Sequence, residues 1–517
     1  MKLFGSSNGA RPLYLLQSRV RVRVKAGFGA FLSTEALRQP ADKGWTDTLY
    51  HRVVLVADPR ISVVPVLDRW VEEGKPVEKT DLQSMVKRMM DFRRYSHALE
   101  ISMWMSDQRY FPLTPGDLAY RLQLINKVRG LEHAENYFNN IPRGLKHYQP
   151  YGALLRCYAE EKSVEKAEAL FEKMKESNML SSFVYNMLIK LYSGIGELGK
   201  IDATFQEMEE EGIFPDFFTY NFLMEAYAST SNINGMEKIL KRIQDPKVPA
   251  NWHIYAVAAK GYTKIGLMDK ALAALKESEK HIPRKKGRFA YGFILSVYAD
   301  VGNKDEVHRV WNSCKAREKL SNTIYMCMIS ALLKLDDIEG AEAILKEWEI
   351  RFDFYDFRVP NLLIGAYCRK GLLGKAESLV GQAIESGRTP LANTWDRLAG
   401  GYFREGQTLK AVEMMKKALQ MTGQTVWKPN PANVLASLEY FRDQKDVEAA
   451  EEFVKMLRHL GLLTKENYLC LLRTYLLAGK PVTDLLEQMK EDGLNLDDET
   501  QKVLEEKNNQ CHPESSC

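Results

Sequence analysis

Hydrophobic and polar positions along most of the chain follow the period of an amphipathic α-helix. In residues 182–216, Tyr185, Leu188, Ile189 and Tyr192 fall on one helical face, and a second apolar set follows a glycine-rich turn. Spacings of i, i+3, i+4 and i+7 predict helices, and the glycines mark where the first helix stops. The segment therefore predicts two helices joined by a short turn.

The same pattern returns with a period of about 35 residues. Aromatic residues open successive units at spacings of 34, 35, 35, 36 and 34, namely Tyr151, Tyr185, Tyr220, Tyr255, Tyr291 and Tyr325. Weaker openings continue the series at Pro360, Trp395, Asn433 and Tyr468. One hairpin cannot bury its apolar face alone, whereas stacked hairpins share a continuous core. The sequence predicts an all-α solenoid of tandem helix–turn–helix repeats.

The pattern divides the chain into a repeat array and two flanking segments. Residues 79–497 are predicted to hold about twelve repeats, preceded by a linker and capping helix in 35–78 and followed by a polar tail in 498–517. The predicted units are 79–114, 115–147, 148–181, 182–216, 217–251, 252–287, 288–321, 322–356, 357–391, 392–429, 430–464 and 465–497.

Small residues recur near the start of the second helix of each hairpin. Seven alanines occupy equivalent places, namely Ala134, Ala167, Ala271, Ala341, Ala376, Ala411 and Ala449. A methyl side chain lets two helices approach closely, so these positions are predicted to lie at helix–helix contacts.

The first 34 residues differ in charge from the rest of the chain. They hold six basic residues and no acidic one, although the whole chain is nearly balanced, with 72 Lys and Arg against 68 Asp and Glu. An arginine-rich, acid-free start predicts a mitochondrial transit peptide, and a disordered basic tail is the alternative. No apolar run is long enough to span a bilayer. The sequence predicts a soluble protein of the mitochondrial matrix that makes no membrane contact.

The residue types that carry chemistry form no recognisable constellation. The nine histidines include no H-E-x-x-H pattern, and the seven cysteines never pair as C-x-x-C. Zinc sites and acid–base catalysis need such groups at set spacings. The sequence predicts no catalytic residue, no metal site and no cofactor, so it indicates a protein that is not an enzyme.

Several short motifs resemble those of the pentatricopeptide repeat family. They are the openings Tyr185-Asn186 and Tyr220-Asn221, the Glu-Lys-Met of 172–174 and the closing Ile213-Phe214-Pro215-Asp216, all on the 35-residue period. The resemblance covers roughly 79–497 and is closest to the P class of plant mitochondria. It implies a right-handed superhelix that binds single-stranded RNA, one base per repeat.

The resemblance also implies which side chains contact RNA. It implies two base-reading pairs and two stacking residues, namely Asn186 with Asp216, Asn221 with Asn251, and Phe183 and Phe218. By the family's pairing rules, the resemblance implies that both pairs read pyrimidines. The alternative is that Asn186 and Asn221 are only favourable residues near a helix start, where asparagine competes well for backbone donors.

In other repeats, the residues at the two base-reading positions do not match the family's pairs. Two hypotheses about function therefore stay open. The non-matching pairs are Gly152 with Ser181, Ala256 with Lys286, Gly292 with Ser321, Met326 with Asp356, and Asn361 with Leu391. One hypothesis is a mitochondrial RNA-binding adaptor that acts in RNA stability, processing or translation. The other is a scaffold, such as a structural subunit of the mitochondrial ribosome, that contacts ribosomal RNA and ribosomal proteins.

Overall fold

The computed structural model describes residues 47–504 except 57, 59, 60, 110, 246, 249, 284–286, 353, 354, 422–426, 495, 496, 498 and 499. The predicted transit peptide, 1–34, lies outside the described residues. Most of the predicted tail, 498–517, also lies outside them.

Within the described ranges, every regular element is helical. The α-helices are α1 Leu49–Leu55, α2 Val64–Glu72, α3 Lys79–Asp91, α4 Tyr95–Asp107, α5 Pro115–Arg129, α6 Leu131–Asn139, α7 Tyr148–Glu160, α8 Val164–Glu176, α9 Ser182–Ile195, α10 Leu198–Glu210, α11 Phe217–Ser229, α12 Ile233–Arg242, α13 Trp252–Lys264, α14 Met268–Lys280, α15 Arg288–Val301, α16 Lys304–Arg317, α17 Asn322–Lys334, α18 Ile338–Arg351, α19 Pro360–Arg369, α20 Leu373–Glu385, α21 Ala392–Arg404, α22 Thr408–Gln420, α23 Pro431–Asp443, α24 Val447–His459, α25 Lys465–Leu477 and α26 Thr483–Glu491. A short 3₁₀ turn spans Arg143–Leu145.

The prediction of an all-α fold of helical hairpins is confirmed. Each of the twelve predicted units holds two helices, from α3 and α4 in 79–114 to α25 and α26 in 465–497. The described part of the segment 35–78 holds the two helices α1 and α2. No helix in the described part of the chain combines the length and apolarity that crossing a bilayer requires.

The helices form two compact units that divide between Leu223 and Met224, within α11. In the first unit, α5 packs on α7 and α7 packs on α9, while α6, α8 and α10 pack on their own hairpin partners. In the second unit, the first helices α13, α15, α17, α19, α21, α23 and α25 pack on one another in sequence. Helices α5, α7 and α9 thus form a layer of first helices in the first unit, which carries Phe183 and Asn186, and the odd-numbered helices from α13 to α25 form such a layer in the second unit.

Helix starts and stops follow the local sequence. Gly196 ends α9 with φ of 82°, a left-handed conformation that glycine adopts without steric cost. Second helices start on polar caps such as Asn303, Asp337 and Asp446, whose side chains accept hydrogen bonds from the first backbone N–H groups. These local signals explain why the hairpin pattern could be predicted from sequence.

The small residues near the start of the second helices are packed against neighbouring side chains, and they differ only in how deeply they are buried. Six of the seven alanines are fully buried, namely Ala134, Ala167, Ala271, Ala341, Ala376 and Ala411. Ala449 packs against the core but is partly exposed, whereas its neighbour Ala450 is fully buried. Ala450 is the fourth residue of α24, the same place that the six buried alanines occupy in their helices.

A tyrosine, a glutamate and a lysine join successive hairpins. The Tyr192 hydroxyl donates to Oε1 of Glu168 at 2.8 Å, and Lys200 donates to the same oxygen at 2.8 Å. In the second unit, the Tyr367 hydroxyl donates to Glu342 in the same way. The glutamate belongs to the preceding second helix, so the three side chains fix that helix against the next hairpin.

Candidate RNA interface

The predicted site residues of the first unit lie at the beginnings of first helices. Phe183 and Asn186 belong to the first turns of α9, and Asp216 directly precedes α11. The Asp216 carboxylate accepts from the Thr219 backbone N–H at 2.9 Å, and the Thr219 hydroxyl accepts from the Asp216 backbone N–H at 3.1 Å. This reciprocal cap holds the Asp216 carboxylate in a fixed place at the start of α11.

The structure brings Asn186 and Asp216 together. Nδ2 of Asn186 donates to Oδ1 of Asp216 at 3.1 Å, and the Ser182 hydroxyl donates to Oδ2 at 3.1 Å. Asn186 is only 2% exposed, and its Oδ1 has no hydrogen-bond partner among the described residues. Buried polar atoms in native proteins are nearly always hydrogen-bonded. Asn186 Oδ1 is therefore a buried acceptor without a partner, on the residue whose Nδ2 is bound to the fixed Asp216 carboxylate.

The two predicted stacking residues present aromatic surface to solvent. Phe183 is 42% exposed and Phe218 is 50% exposed. A β-carbon at Gly152 would lie 3.0 Å from Cε1 of Phe183, so Phe183 packs against the preceding first helix. Phe218 lies nearly parallel to Phe222, with ring centroids 6.5 Å apart. Exposed aromatic rings held by packing are the groups on which bases stack.

Asn221 and Asn251 have different environments, each within its own compact unit. Asn221 lies inside α11, is buried, and has an Oδ1 without a hydrogen-bond partner in the described part of the chain. Oδ1 of Asn251 accepts from the backbone N–H groups of His253 at 3.0 Å and Ile254 at 3.1 Å. Asn251 therefore caps α13, whereas Asn186 and Asn221 are interior helix residues and cap nothing.

Two further polar pairs lie on first helices of the second unit, where the sequence analysis found no match. Nδ2 of Asn361 donates to Oδ1 of Asn393 at 3.0 Å, and Nδ2 of Asn433 donates to Oδ1 of Asp396 at 2.7 Å. Burial raises the pKa of the Asp396 carboxyl, an effect that the Asn433 amide partly offsets. In each pair one residue, Asn361 or Asp396, occupies the same place in its repeat as Asn186, and the sequence could have shown this. Its partner lies on the next first helix and not at the end of the unit.

Capping by Asn251 gives a testable prediction about stability. Replacing an asparagine cap by alanine removes the acceptor for two first-turn N–H groups, so we expect Asn251→Ala to lower the local stability of α13 by about 1 kcal/mol. Hydrogen exchange of the α13 amides measures this change. Asn251→Ser is the matched control, because serine also accepts from the first turn. Equal protection in Asn251→Ala and the wild type would contradict the prediction.

The fold and the site together define a helical-repeat protein whose first-helix layer carries buried amides and exposed aromatic rings. Residues 180–229 match the model of the PPR repeat family, and 150–179, 218–245, 323–351 and 359–388 match the model of the PPR repeat. The mitochondrial pentatricopeptide repeat-containing protein At2g20710 of Arabidopsis thaliana is 39% identical, over 85% of this chain and 90% of the relative. The chain belongs to the pentatricopeptide repeat family.

Two other similar proteins were found. The large ribosomal subunit protein mL101 (rPPR4) of Arabidopsis thaliana is 35% identical, over 92% of this chain and 97% of the relative. The pentatricopeptide repeat protein PPR10 from maize, whose crystal structure is known, is 15% identical to this chain in sequence. The two structures superpose with a TM-score of 0.41, and the match covers 89% of this chain and 78% of that chain.

Proposed function

We propose that this chain is an RNA-binding helical-repeat protein that acts in mitochondria on the stability, processing or translation of organellar RNA. The observation that carries the proposal is the Asn186–Asp216 pair. Nδ2 of Asn186 donates to the fixed Asp216 carboxylate, and Oδ1 of Asn186 has no hydrogen-bond partner among the described residues. Single-stranded RNA offers unstacked bases whose edges pair with such groups. Phe183 and Phe218 supply the stacking surfaces, and Asn221 supplies a second reading position.

The proposed location is the mitochondrial matrix. It rests on relatives whose names place them in mitochondria, including one that is 39% identical, and on the acid-free segment 1–34, which we assign as a transit peptide. We assign 35–78 to a linker and capping helix, 79–497 to the repeats and 498–517 to a polar tail.

The proposal assigns binding and no catalysis to this chain. In the part that the structure describes, no group of three or more His, Cys, Asp or Glu side chains could hold a metal ion. Burial raises the pKa of the Cys157 thiol to about 12 and that of the Cys470 thiol to about 11, which leaves both thiols protonated and poor nucleophiles near neutral pH. RNA binding requires no cofactor.

A structural role in the mitochondrial ribosome is the second candidate. The observation that favours it is the 35% identity with a large ribosomal subunit protein over 92% of this chain. In that role the first-helix layer and other surfaces would hold ribosomal RNA and neighbouring ribosomal proteins, with little dependence on base sequence.

Selection of RNA from a random pool tests the first candidate. We expect recovered RNAs to share two adjacent pyrimidines, and replacing each by a purine to weaken binding by about 1–3 kcal/mol. Asn186→Ala with Asn221→Ala should remove this preference. Asn136→Ala, an exposed asparagine of α6, is the control and should leave it unchanged. Recovery of RNAs without a shared pyrimidine pair would contradict base reading.

Sedimentation of the endogenous protein from lysed mitochondria separates the two candidates. Co-migration with a large ribosomal subunit that is lost when Mg²⁺ is chelated would support the structural role. Light particles that ribonuclease disperses would support a transcript-specific adaptor.

A further inference from the structure

Three hairpins share one aromatic contact between a second helix and the first helix that follows it. The eighth residue of the second helix is aromatic, and its ring meets the ring of a tyrosine edge-on. The pairs are Phe138 with Tyr151, Phe171 with Tyr185, and Trp311 with Tyr325, with ring centroids 5.0, 5.3 and 5.2 Å apart. Side chains beside these ring pairs therefore occupy equivalent places in the fold.

Two of these places hold a lysine and a glutamate that neutralise each other. Glu207, the tenth residue of α10, accepts from Lys175 of the preceding second helix at 2.5 Å. Glu347, the tenth residue of α18, accepts from Lys315 of the preceding second helix at 3.2 Å and from the Tyr325 hydroxyl at 2.9 Å. The fold thus has room for a carboxylate beside each of these ring pairs.

The third place holds only positive side chains. Lys173, the tenth residue of α8, stands where the other two hairpins have glutamate, and its Nζ lies 5.9 Å from the centre of the Tyr151 ring. Lys146 follows α6 in the chain, and its Nζ lies 4.8 Å from the centre of the Phe138 ring. Burial lowers the pKa of Lys146, and the charges of Lys173 and Arg143 lower it further. Three cations therefore meet at one ring pair.

No acidic side chain in the described ranges forms an ion pair with Arg143, Lys146 or Lys173, although Lys166 of the same helix α8 pairs with Glu135 at 2.7 Å. Nζ of Lys146 donates to the backbone carbonyl of Asn139 at 3.1 Å, which supplies no negative charge. Lys146 is half-buried, so water compensates its charge only in part. Like charges at this spacing repel each other, and an anion placed between them would remove the repulsion.

The two other hairpins indicate which anion fits. Both place a carboxylate against the ring pair, within hydrogen-bond distance of a lysine. Two of the three cations at the third place are lysines, whose compact ammonium groups pair with single carboxylate oxygens, whereas guanidinium groups match phosphate through planar pairs of N–H donors. The cations also lie beside second helices, outside the layer of first helices that carries Phe183 and Asn186.

From this comparison we propose that Arg143, Lys146 and Lys173 bind an acidic segment of a partner protein. A carboxylate of that segment takes the place that Glu207 and Glu347 take in their own hairpins. The surface is separate from the proposed RNA-binding residues, so it gives the chain a protein contact in addition to RNA binding.

The test measures binding of the full chain by fluorescence anisotropy to a labelled peptide of about ten glutamates at about 50 mM salt, where screening of exposed charges is modest. We expect Lys146→Gln with Lys173→Gln to weaken binding about fivefold, because two exposed or half-exposed ion pairs are lost. The matched control is Lys162→Gln with Lys190→Gln, which removes two exposed lysines of the same compact unit and should change binding less than about twofold.

A second variant tests the place of the carboxylate directly. Lys173→Glu gives the chain its own carboxylate at the tenth position of α8, as in α10 and α18. We expect this variant to raise the hydrogen-exchange protection of α7 and α8, because Lys146 gains a partner, and to weaken peptide binding about tenfold. Lower protection of α7 and α8 than in the wild type would show that this place does not accept a carboxylate, and would overturn the proposal.

The remaining outcomes decide between partners. Wild-type protein that does not bind the peptide, or an equal loss of binding in the Lys146→Gln, Lys173→Gln variant and its control, would overturn the proposal. Binding to a labelled oligouridylate is measured in parallel. A double variant that binds the peptide weakly and oligouridylate like the wild type supports a protein partner, whereas an equal loss for both probes would overturn it in favour of RNA.

Discussion

Replacing Trp348 by alanine is expected to lower the local stability of the hairpin formed by α17 and α18 by about 3–5 kcal/mol. Trp348 is fully buried on α18 and packs against Phe352 and Tyr355, with ring centroids 6.2 and 5.1 Å away. Alanine would leave a cavity that the neighbouring rings fill only in part.

A hydrogen bond adds to the loss of packing. Nε1 of Trp348 donates to Oδ1 of Asn322 at 2.9 Å, and Nδ2 of Asn322 donates to Oδ2 of Asp356 at 3.0 Å. The tryptophan therefore links the start of α17 to α18 and, through Asn322, to the end of the repeat. Trp348→Phe should have an intermediate effect, because it keeps most of the packing and leaves Oδ1 of Asn322 unpaired.

Hydrogen exchange of the α17 and α18 amides is the appropriate measurement, because repeat arrays open locally and do not unfold in one step. Ile350→Ala is the matched control: Ile350 lies on the same helix and is 89% exposed, so its loss should change protection little. Similar protection in the Trp348→Ala and Ile350→Ala variants would contradict the central role of Trp348.

Acid is expected to loosen the N-terminal helices through His97. His97 is fully buried on α4, with Nε2 2.9 Å from the Ile61 carbonyl oxygen and Nδ1 3.0 Å from Nε of Arg94. Arg94 also donates to the carbonyls of Val53, at 3.2 Å, and Val56. Since Nε2 must donate and Nδ1 must accept, this arrangement requires neutral histidine. A proton on Nδ1 would face the guanidinium group.

The direction of the pH effect follows from the pKa of His97. Burial lowers the pKa of His97 below its ordinary value of 6.5, and the Arg94 charge lowers it further, while Glu100 and the Ile61 carbonyl act in the opposite direction. Below about pH 6.5 the unfolded segment binds a proton that the folded segment does not bind. Stability therefore falls as pH falls from 6.5 to the folded pKa, by at most about 1.4 kcal/mol per pH unit.

Hydrogen exchange of α1 and α2, expressed as protection relative to intrinsic rates at each pH, measures this effect. We expect His97→Gln to be less stable at pH 7 and to lose the acid dependence. His133→Gln, at an exposed histidine of α6, is the control and should keep it. The same acid dependence in the wild type and His97→Gln would show that another group is responsible.

The candidate site was predictable where it follows the repeat period and was missed where it does not. Asn186 and Asp216 occupy fixed places in one unit, so the family pattern could pair them before the structure showed their 3.1 Å contact. Asn361 pairs with Asn393 and Asn433 pairs with Asp396, at separations of 32 and 37 residues instead of the 30 that separate Asn186 from Asp216. Only the packing of α19 on α21 and of α21 on α23 brings these side chains together.

The sequence by itself determined the period, the helical hairpins and the positions of their turns, because amphipathic spacing, glycine stops and polar caps act within a few residues of chain. The tertiary structure decided which asparagines cap a helix and which keep an unpaired oxygen, as the contrast between Asn251 and Asn221 shows. Hydrogen-bond satisfaction and charge pairing depend on side chains from different helices, and their distances are fixed only when the helices pack.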